Sequence, residues 1–368
     1  MALYQNHFKR IPSEKLLSYM QISFSWLAAF FLGHFCFKLC KPYKKSLQLF
    51  PATGVSYATS YVALFLLFIL VVFAWLGRAS LFGGYASYDM GARGKISTLL
   101  VIFNFFMLYQ LLSKQKLSYL LVAGVALTSF LLLSMGGRMY VVQTFIIILV
   151  YKTSFARKTW KGYQIAFISL LGFILLSFVG LWRMNSSFNP FSAAYSLFAE
   201  PVFTWFSVST FLSANEIPVI NFPANFLTSF LNLVPNTVFS FSPYVITIQQ
   251  MGYIAQSPLG ADSVWSNIVV NFGSVGSFFF IFLTGFILNF LRHLSENSRF
   301  AAVYYILICG MLPFQFFRDG FYLTNKQLFF NFLLFPALIL IILKLMIFLQ
   351  AASYSLKKTL LQSGVVHD

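Results

Sequence analysis

Apolar runs of membrane-crossing length recur from one end of this sequence to the other, and that recurrence limits the fold more than any other feature. A hydrocarbon core needs roughly 20 apolar residues per helix. Such runs lie near Tyr19–Leu39, Tyr57–Gly77, Ile96–Leu112, Leu117–Met135, Tyr140–Tyr151 and a few residues beyond, Gln164–Leu181, Phe272–Leu291, Ala301–Phe316 and Leu328–Leu349. They are long and continuous, whereas the strands of a membrane barrel read as short alternating segments. Within lipid every backbone polar group needs an internal partner, so continuous runs imply helices. Only 9% of the 368 residues are charged, against about 25% in a soluble domain. The expected fold class is therefore all-α. The chain reads as one polytopic integral membrane domain over residues 1–368, with about 9–11 transmembrane helices.

The charges set an orientation. Lys38, Lys41, Lys44 and Lys45, then Lys114 and Lys116, then Lys152, Arg157, Lys158 and Lys161, then Arg292 and Arg299, then Lys357 and Lys358 fall in alternate loops. The positive-inside rule places these loops in the cytoplasm. The C-terminus is then cytoplasmic and the N-terminus outside, with Lys9, Arg10 and Lys15 pulling mildly the other way. No short apolar core followed by a small-residue cleavage site is visible, so no cleaved signal peptide is expected. Two further apolar stretches, Ala193–Ser213 and Phe222–Phe241, are interrupted by Pro or Glu. The link between them, Ala214–Asn221, carries Glu216 and no Lys or Arg. A re-entrant or surface-lying helical pair on the outer side is therefore expected, within an outer region spanning residues 182–271.

The net charge of +17 is scattered between apolar runs, with no basic domain of the kind that binds nucleic acid. Cys36, Cys40 and Cys309 have no histidine or carboxylate at ligand spacing, so they read as small buried hydrophobes rather than a metal site. There is no Asp-x-Asp, no His-x-x-x-His and no glycine-rich phosphate loop followed by Lys. No metal and no cofactor are expected.

The outer loops carry Arg78, Arg93, Lys95, Arg138, Arg183, Arg318 and Lys326, mostly arginine where the cytoplasmic loops are mostly lysine. Lysine suffices as a topology signal. Arginine adds a planar fork for two oxygens of a phosphate or carboxylate. Arg78 ends a helix and reads as snorkelling to headgroups. Arg93, in a glycine-punctuated loop, either pairs with Asp89 or grips a ligand. Arg138 follows Gly136-Gly137, a turn that lets backbone approach a ligand closely. Arg183 ends a span. Arg318-Asp319 is either a structural pair or a clamp with a base, and ionisable groups at a membrane edge favour function. Outer carboxylates available as a general base are Asp89, Glu200, Glu216, Asp262 and Asp319. Tyr85, Tyr88, Trp265 and Tyr322 are rings that stack on sugars or anchor at the interface.

Several short elements together resemble the Wzy-type O-antigen polymerases of the bacterial inner membrane. They are Gly136-Gly137-Arg138, the outer region from Arg183, Asn232-Leu233-Val234-Pro235, Pro258-Leu259-Gly260-Ala261-Asp262-Ser263, Asn271-Phe272-Gly273-Ser274-Val275-Gly276 and Phe317-Arg318-Asp319. The resemblance covers most of the chain as an order of spans and loops. In that family an acidic residue often precedes the Asn-Phe-Gly-x-x-Gly element; here the position holds Asn267, which leaves the base unassigned. The resemblance implies a GT-C-like fold with a large periplasmic loop. It implies a metal-independent glycosyltransferase that moves a growing glycan from undecaprenyl pyrophosphate onto a lipid-linked repeat unit at the periplasmic face. Catalytic candidates are Arg138, Arg183 and Arg318 as a pyrophosphate clamp, with Asp262, Asp319 and Glu200 as bases. Substrate-binding candidates are Arg93, Gly136, Gly137, Asn267, Trp265, Tyr322 and Lys326. Implied partners are the donor and acceptor lipids, membrane lipid, and a chain-length regulator and flippase. Two other readings stay open: an O-antigen ligase, which typically carries an outer-loop histidine absent between His34 and His293, and a lipid-linked oligosaccharide flippase, which typically shows charged spans and two similar halves.

Overall fold

The computed structural model describes residues 11–41, 50, 54–82, 90–113, 116–156, 159–183, 190–234, 242–256, 263–313 and 318–362. Among these there is no strand, only an isolated bridge between Phe50 and Ser113. The helices are α1 (Ser13–Cys40), α2 (Gly54–Leu76), α3 (Met90–Leu111), α4 (Tyr119–Ser134), α5 (Arg138–Ser154) and α6 (Gly162–Arg183). They continue as α7 (Pro190–Ala214), α8 (Ala224–Ser229), α9 (Val264–Leu294), α10 (Arg299–Met311), α11 (Phe321–Lys326) and α12 (Phe335–Gln362). A π-helical segment, Gln327–Leu334, joins α11 to α12. Six of these stretches are long and apolar enough to cross a membrane: Ser13–Cys40, Ala58–Leu76, Gly91–Leu111, Gly162–Leu181, Val264–Leu294 and Phe321–Ser353. α4 and α10 are apolar but shorter. The chain is thus an all-helical protein of multi-pass membrane character.

Two apolar cores fill the bundle. One is built by α2 to α5, α10 and α12 around Phe103, Phe105, Phe106, Leu132 and Ile147. The other is built by α1, α7, α9 and the 245–255 segment around Trp26, Phe211 and Trp265. In the second core α1 and α9 run parallel in direct contact. Gly33 lies against the backbone of Phe282, and Gly285 against that of Phe30. Without a Cβ on either glycine the two backbones approach closely, which is how membrane helices gain packing energy in the absence of a hydrophobic drive. Trp26 Nε1 donates to Ser277 Oγ (2.8 Å), and Asn289 Nδ2 donates to the His34 carbonyl (3.1 Å).

The charged ends sort cleanly. At one end Arg292 lies over Phe155 (4.3 Å), Arg299 over Tyr109 (4.7 Å), and Phe37 against His293. This is the lysine-rich end, with Lys38, Lys41, Lys152 and Lys161 in the same connections. At the other end lie Arg93, Arg138 and Arg318, together with Lys15, which is paired to Glu216 (2.9 Å). The alternation read from the loops is therefore the one the bundle adopts.

Among the described residues, neither of the two interrupted outer stretches is a helix long and apolar enough to cross a membrane. The first stretch is α7, a single helix with Pro190 at its first turn, where its missing N–H costs nothing, and Pro201 inside it. In the second, the described residues form α8, which has six residues and tightens into a 3-10 turn at Phe230–Leu233. Val234, which precedes Pro235, is already extended (φ −83°, ψ 123°), because proline disfavours helical backbone in the residue before it.

α9 is kinked. Gly273 has φ 72° and ψ −179°, a conformation open essentially only to glycine. The kink opens the ladder, and Ser274 and Val275 N–H donate to the Pro218 and Val219 carbonyls (2.8 and 3.0 Å). Beyond Gly273 the helix runs about 30 Å at ~1.5 Å per residue, a hydrocarbon-core length.

Candidate functional site

α4 ends in a Schellman turn. Gly136 N–H donates to Leu133 O (2.8 Å) and Gly137 N–H to Leu132 O (2.6 Å), with Gly136 left-handed at φ 76°. The turn reverses the chain at once, and α5 starts on Arg138. A Cβ on Gly137 would stand 3.1 Å from Leu132 O and 3.3 Å from Arg93 Nε, so the glycine makes room for that guanidinium. Arg93, from the first turn of α3, also faces the Tyr140 ring (5.7 Å). Gly136→Ala is expected to cost about 1–2 kcal/mol of stability, the left-handed penalty for an L-residue, and to lower the melting temperature in detergent. An unchanged melt would mean that the turn is not held in this form.

The residue pair before α11 reaches the same turn. Arg318 NH1 lies 3.7 Å from Met139 Sδ, next to Arg138. It lies 3.8 Å from Asp319 Oδ1, with Arg318 and Asp319 side chains 18% and 6% exposed. That separation exceeds a hydrogen bond, so Asp319 tempers the guanidinium electrostatically without gripping it in a fork. Arg93 and Arg318 thus both reach the 137–140 stretch, which itself carries Arg138 at the start of α5.

A cavity of ≈ 370 Å³ opens where α8, the 245–255 segment, α9 and the start of α11 come together. Its polar lining is Asn225, Thr247, Gln249, Asn267 and Tyr322; its apolar lining is Val245, Ile248, Ala255 and Phe321, with Gly320 completing the wall. Gly320 is two residues from Arg318, so the cavity wall begins within about 7 Å of chain from the cluster. The amides are fixed in place. Asn225 Nδ2 donates to Ile246 O (2.7 Å), Asn271 Nδ2 donates to Asn267 O (2.7 Å), and Asn271 Oδ1 accepts from Phe226 N–H (2.7 Å). Asn232 Nδ2 reaches Tyr322 O (3.3 Å), and Asn325 Nδ2 reaches Ser229 Oγ (2.7 Å).

Of the residues singled out in the sequence, Arg93 and Arg318 reach the stretch formed by Gly136, Gly137 and the start of α5 at Arg138, Asp319 lies beside Arg318, and Asn267 and Tyr322 line the cavity. Lys326 ends α11 and is exposed. Trp265 is 6% exposed, with Tyr19, Trp26 and Phe211 ranged around its ring. It is a core residue in this fold, with its ring faces taken up by neighbours. Arg183 closes α6 and Glu200 lies within α7, but their side chains are outside the described ones. Asp262, Asp89, Tyr85 and Tyr88 lie outside the described residues. Arg78 covers the exposed Trp75 ring (4.2 Å), as an interfacial arginine does. Among the described residues no group of His, Cys, Asp or Glu could hold a metal ion.

Asn225, Thr247 and Gln249 were not anticipated. Their signal was the density of amides around residues 215–271 of an otherwise apolar chain, where each buried polar group demands a partner. No protein-family model matches the chain, and no curated protein or solved structure matches it either.

Proposed function

We propose that this protein is an oligosaccharide repeat-unit polymerase of the bacterial inner membrane. In this reading it transfers a growing glycan from undecaprenyl pyrophosphate onto a lipid-linked repeat unit at the periplasmic face. The observation that carries the reading is the approach of Arg93 and Arg318 to the turn that carries Gly136, Gly137 and Arg138, with an amide-lined cavity starting two residues beyond Arg318 at Gly320.

The chemistry needs little more than this. A hydroxyl oxygen of the acceptor sugar attacks the anomeric carbon of the donor. The bond from that carbon to the pyrophosphate oxygen breaks, and its electron pair leaves on the phosphate. The developing negative charge is what guanidinium groups stabilise. Fixed donors in a poorly hydrated site need not reorganise as the charge appears, and one such donor is worth roughly 3–4 kcal/mol. Asp319, held 3.8 Å from Arg318, fits a role in orienting that arginine. The acceptor proton then goes to a second carboxylate, for which Asp262 and Glu200 stand as candidates. Membrane embedding fits carriers that never leave the bilayer, and a flippase and a chain-length regulator would be the neighbouring partners.

The test is reconstitution in liposomes with the host's undecaprenyl-pyrophosphate-linked repeat unit as sole substrate. Release of undecaprenyl pyrophosphate, matched by glycans of two or more units, is expected. A flippase would translocate the lipid without producing either, and a ligase would require a different acceptor. Absence of both products in protein that retains its fold would end the polymerase reading.

A further inference from the structure

The cavity beside the arginine cluster differs from it in chemistry. None of the described side chains lining it is charged. Its polar groups are carboxamides and hydroxyls, and Val245, Ile248 and Phe321 supply an apolar floor, buried to 8%, 6% and 2% exposure. Sugar rings present the same pairing of hydroxyl edges and apolar C–H faces. The volume of ≈ 370 Å³ falls at the lower end of the roughly 300–1,000 Å³ of small-ligand sites, enough for a short stretch of glycan.

The deep amides are immobilised by the hydrogen bonds of Asn225 and Asn267 to backbone (2.7 and 2.9 Å). A ligand meeting them pays little ordering entropy. Thr247 and Gln249 are exposed and form the open rim.

Resting on the lipid-carrier reading above, we infer that this cavity seats the glycan of a lipid-linked substrate and selects an uncharged sugar. The arginines hold the diphosphate two residues away along the chain, at Arg318, while the cavity reads the sugar attached to it. A carboxylate-bearing sugar finds no cation among the described lining residues and would lose its water against carboxamides and aliphatic carbon, which is unfavourable without a charged partner.

The experiment compares three probes: undecaprenyl pyrophosphate without sugar, the host's repeat unit on that carrier, and the same repeat unit after oxidation of its primary hydroxyls to carboxylates. Binding is measured to wild type, Thr247→Trp, Gln249→Trp and Arg138→Ala in nanodiscs. Both tryptophan substitutions are at exposed rim positions, and a melting temperature checks each fold. The native repeat unit is expected to bind wild type about tenfold more tightly than the bare carrier, as one or two added hydrogen bonds would give. The rim substitutions should erase that tenfold gain and leave bare-carrier affinity unchanged. The oxidised repeat unit should show no gain. Arg138→Ala should weaken all three probes. If the gain survives in both rim variants, the cavity is not the glycan seat. If the oxidised probe gains as much as the native one, selection for neutrality is wrong. If Arg138→Ala leaves every probe unaffected, it is the underlying diphosphate reading that fails.

Discussion

Under the proposed polymerase function, Arg318→Ala is expected to reduce glycan transfer by about 10²–10³-fold, the loss that follows removal of one preorganised donor from a charge-stabilising site. The side chain is placed for that role: it reaches from the start of α11 to Met139, across to the turn that carries Arg138. Its partner Asp319 is 5% exposed, so removing the guanidinium also leaves a mostly buried carboxylate without its 3.8 Å neighbour. That leftover charge is destabilising in its own right. The comparison is therefore made with Arg318→Ala/Asp319→Asn, which removes both charges. The double variant should insert and melt close to wild type while staying as inactive as the single one. Arg318→Lys keeps the charge but loses the planar fork, and should recover only part of the activity. Polysaccharide ladders in cells and product release in liposomes both read the effect. Ladders of normal length from the double variant would remove Arg318 from the mechanism.

Gly273→Ala is expected to destabilise the protein by about 3 kcal/mol, from backbone strain combined with overpacking. Two observations support a value this large. Its φ of 72° with ψ of −179° is closed to residues with a side chain, and an added Cβ would collide with the backbone of Val219 and Ile220. Relief of that collision would pull the 218–220 strap off α9, breaking two backbone hydrogen bonds, and would disturb Asn221, whose Nδ2 donates to Val270 O (2.6 Å). Gly276→Ala is the control, since its Cβ would meet only Phe272 Cβ at 3.2 Å. Thermal unfolding in detergent should separate the two variants clearly; equal melting temperatures would mean that the kink is not retained in the membrane protein.

The spans were legible because the hydrocarbon core leaves so little freedom. Nine apolar runs in the sequence correspond to helices here, six of them in stretches long and apolar enough to cross a membrane, while helices such as Val264–Leu294 and Phe335–Gln362 run on past their apolar boundaries by two turns or more. The Gly136-Gly137 turn was legible too, since paired glycines before a charged residue at a membrane edge have few structural uses. Other features depend on contacts that a linear pattern does not carry. The Asn271-Phe272-Gly273 element stood out in the sequence, but its work is mechanical: Asn271 clasps the Phe226 N–H and Gly273 opens the helix for a strap some fifty residues earlier. Trp265 read as a ring for stacking on a sugar or anchoring at the interface, yet Tyr19 from α1 and Phe211 from α7 enclose it. The π-helical stretch was hidden inside a uniformly apolar run. It turns Asn331 toward Thr98 Oγ1 on α3 (3.3 Å), and only that polar contact gives a reason for the extra residue in the turn.

The parallel clasp of α1 and α9 has a consequence for how the chain is made. Trp26 and Ser277 are 251 residues apart, and ribosomes add about 5–20 residues per second. α1 leaves the ribosome before α9 and therefore waits tens of seconds, at the slower rates, for the partner whose backbone will lie against Gly33. Through that interval its indole N–H, and the glycine groove meant for Phe282, face lipid or whatever insertion factor shelters them. The newborn polypeptide is in this sense held open at α1 until α9 has emerged, and quality control in the membrane has a long window in which to judge it.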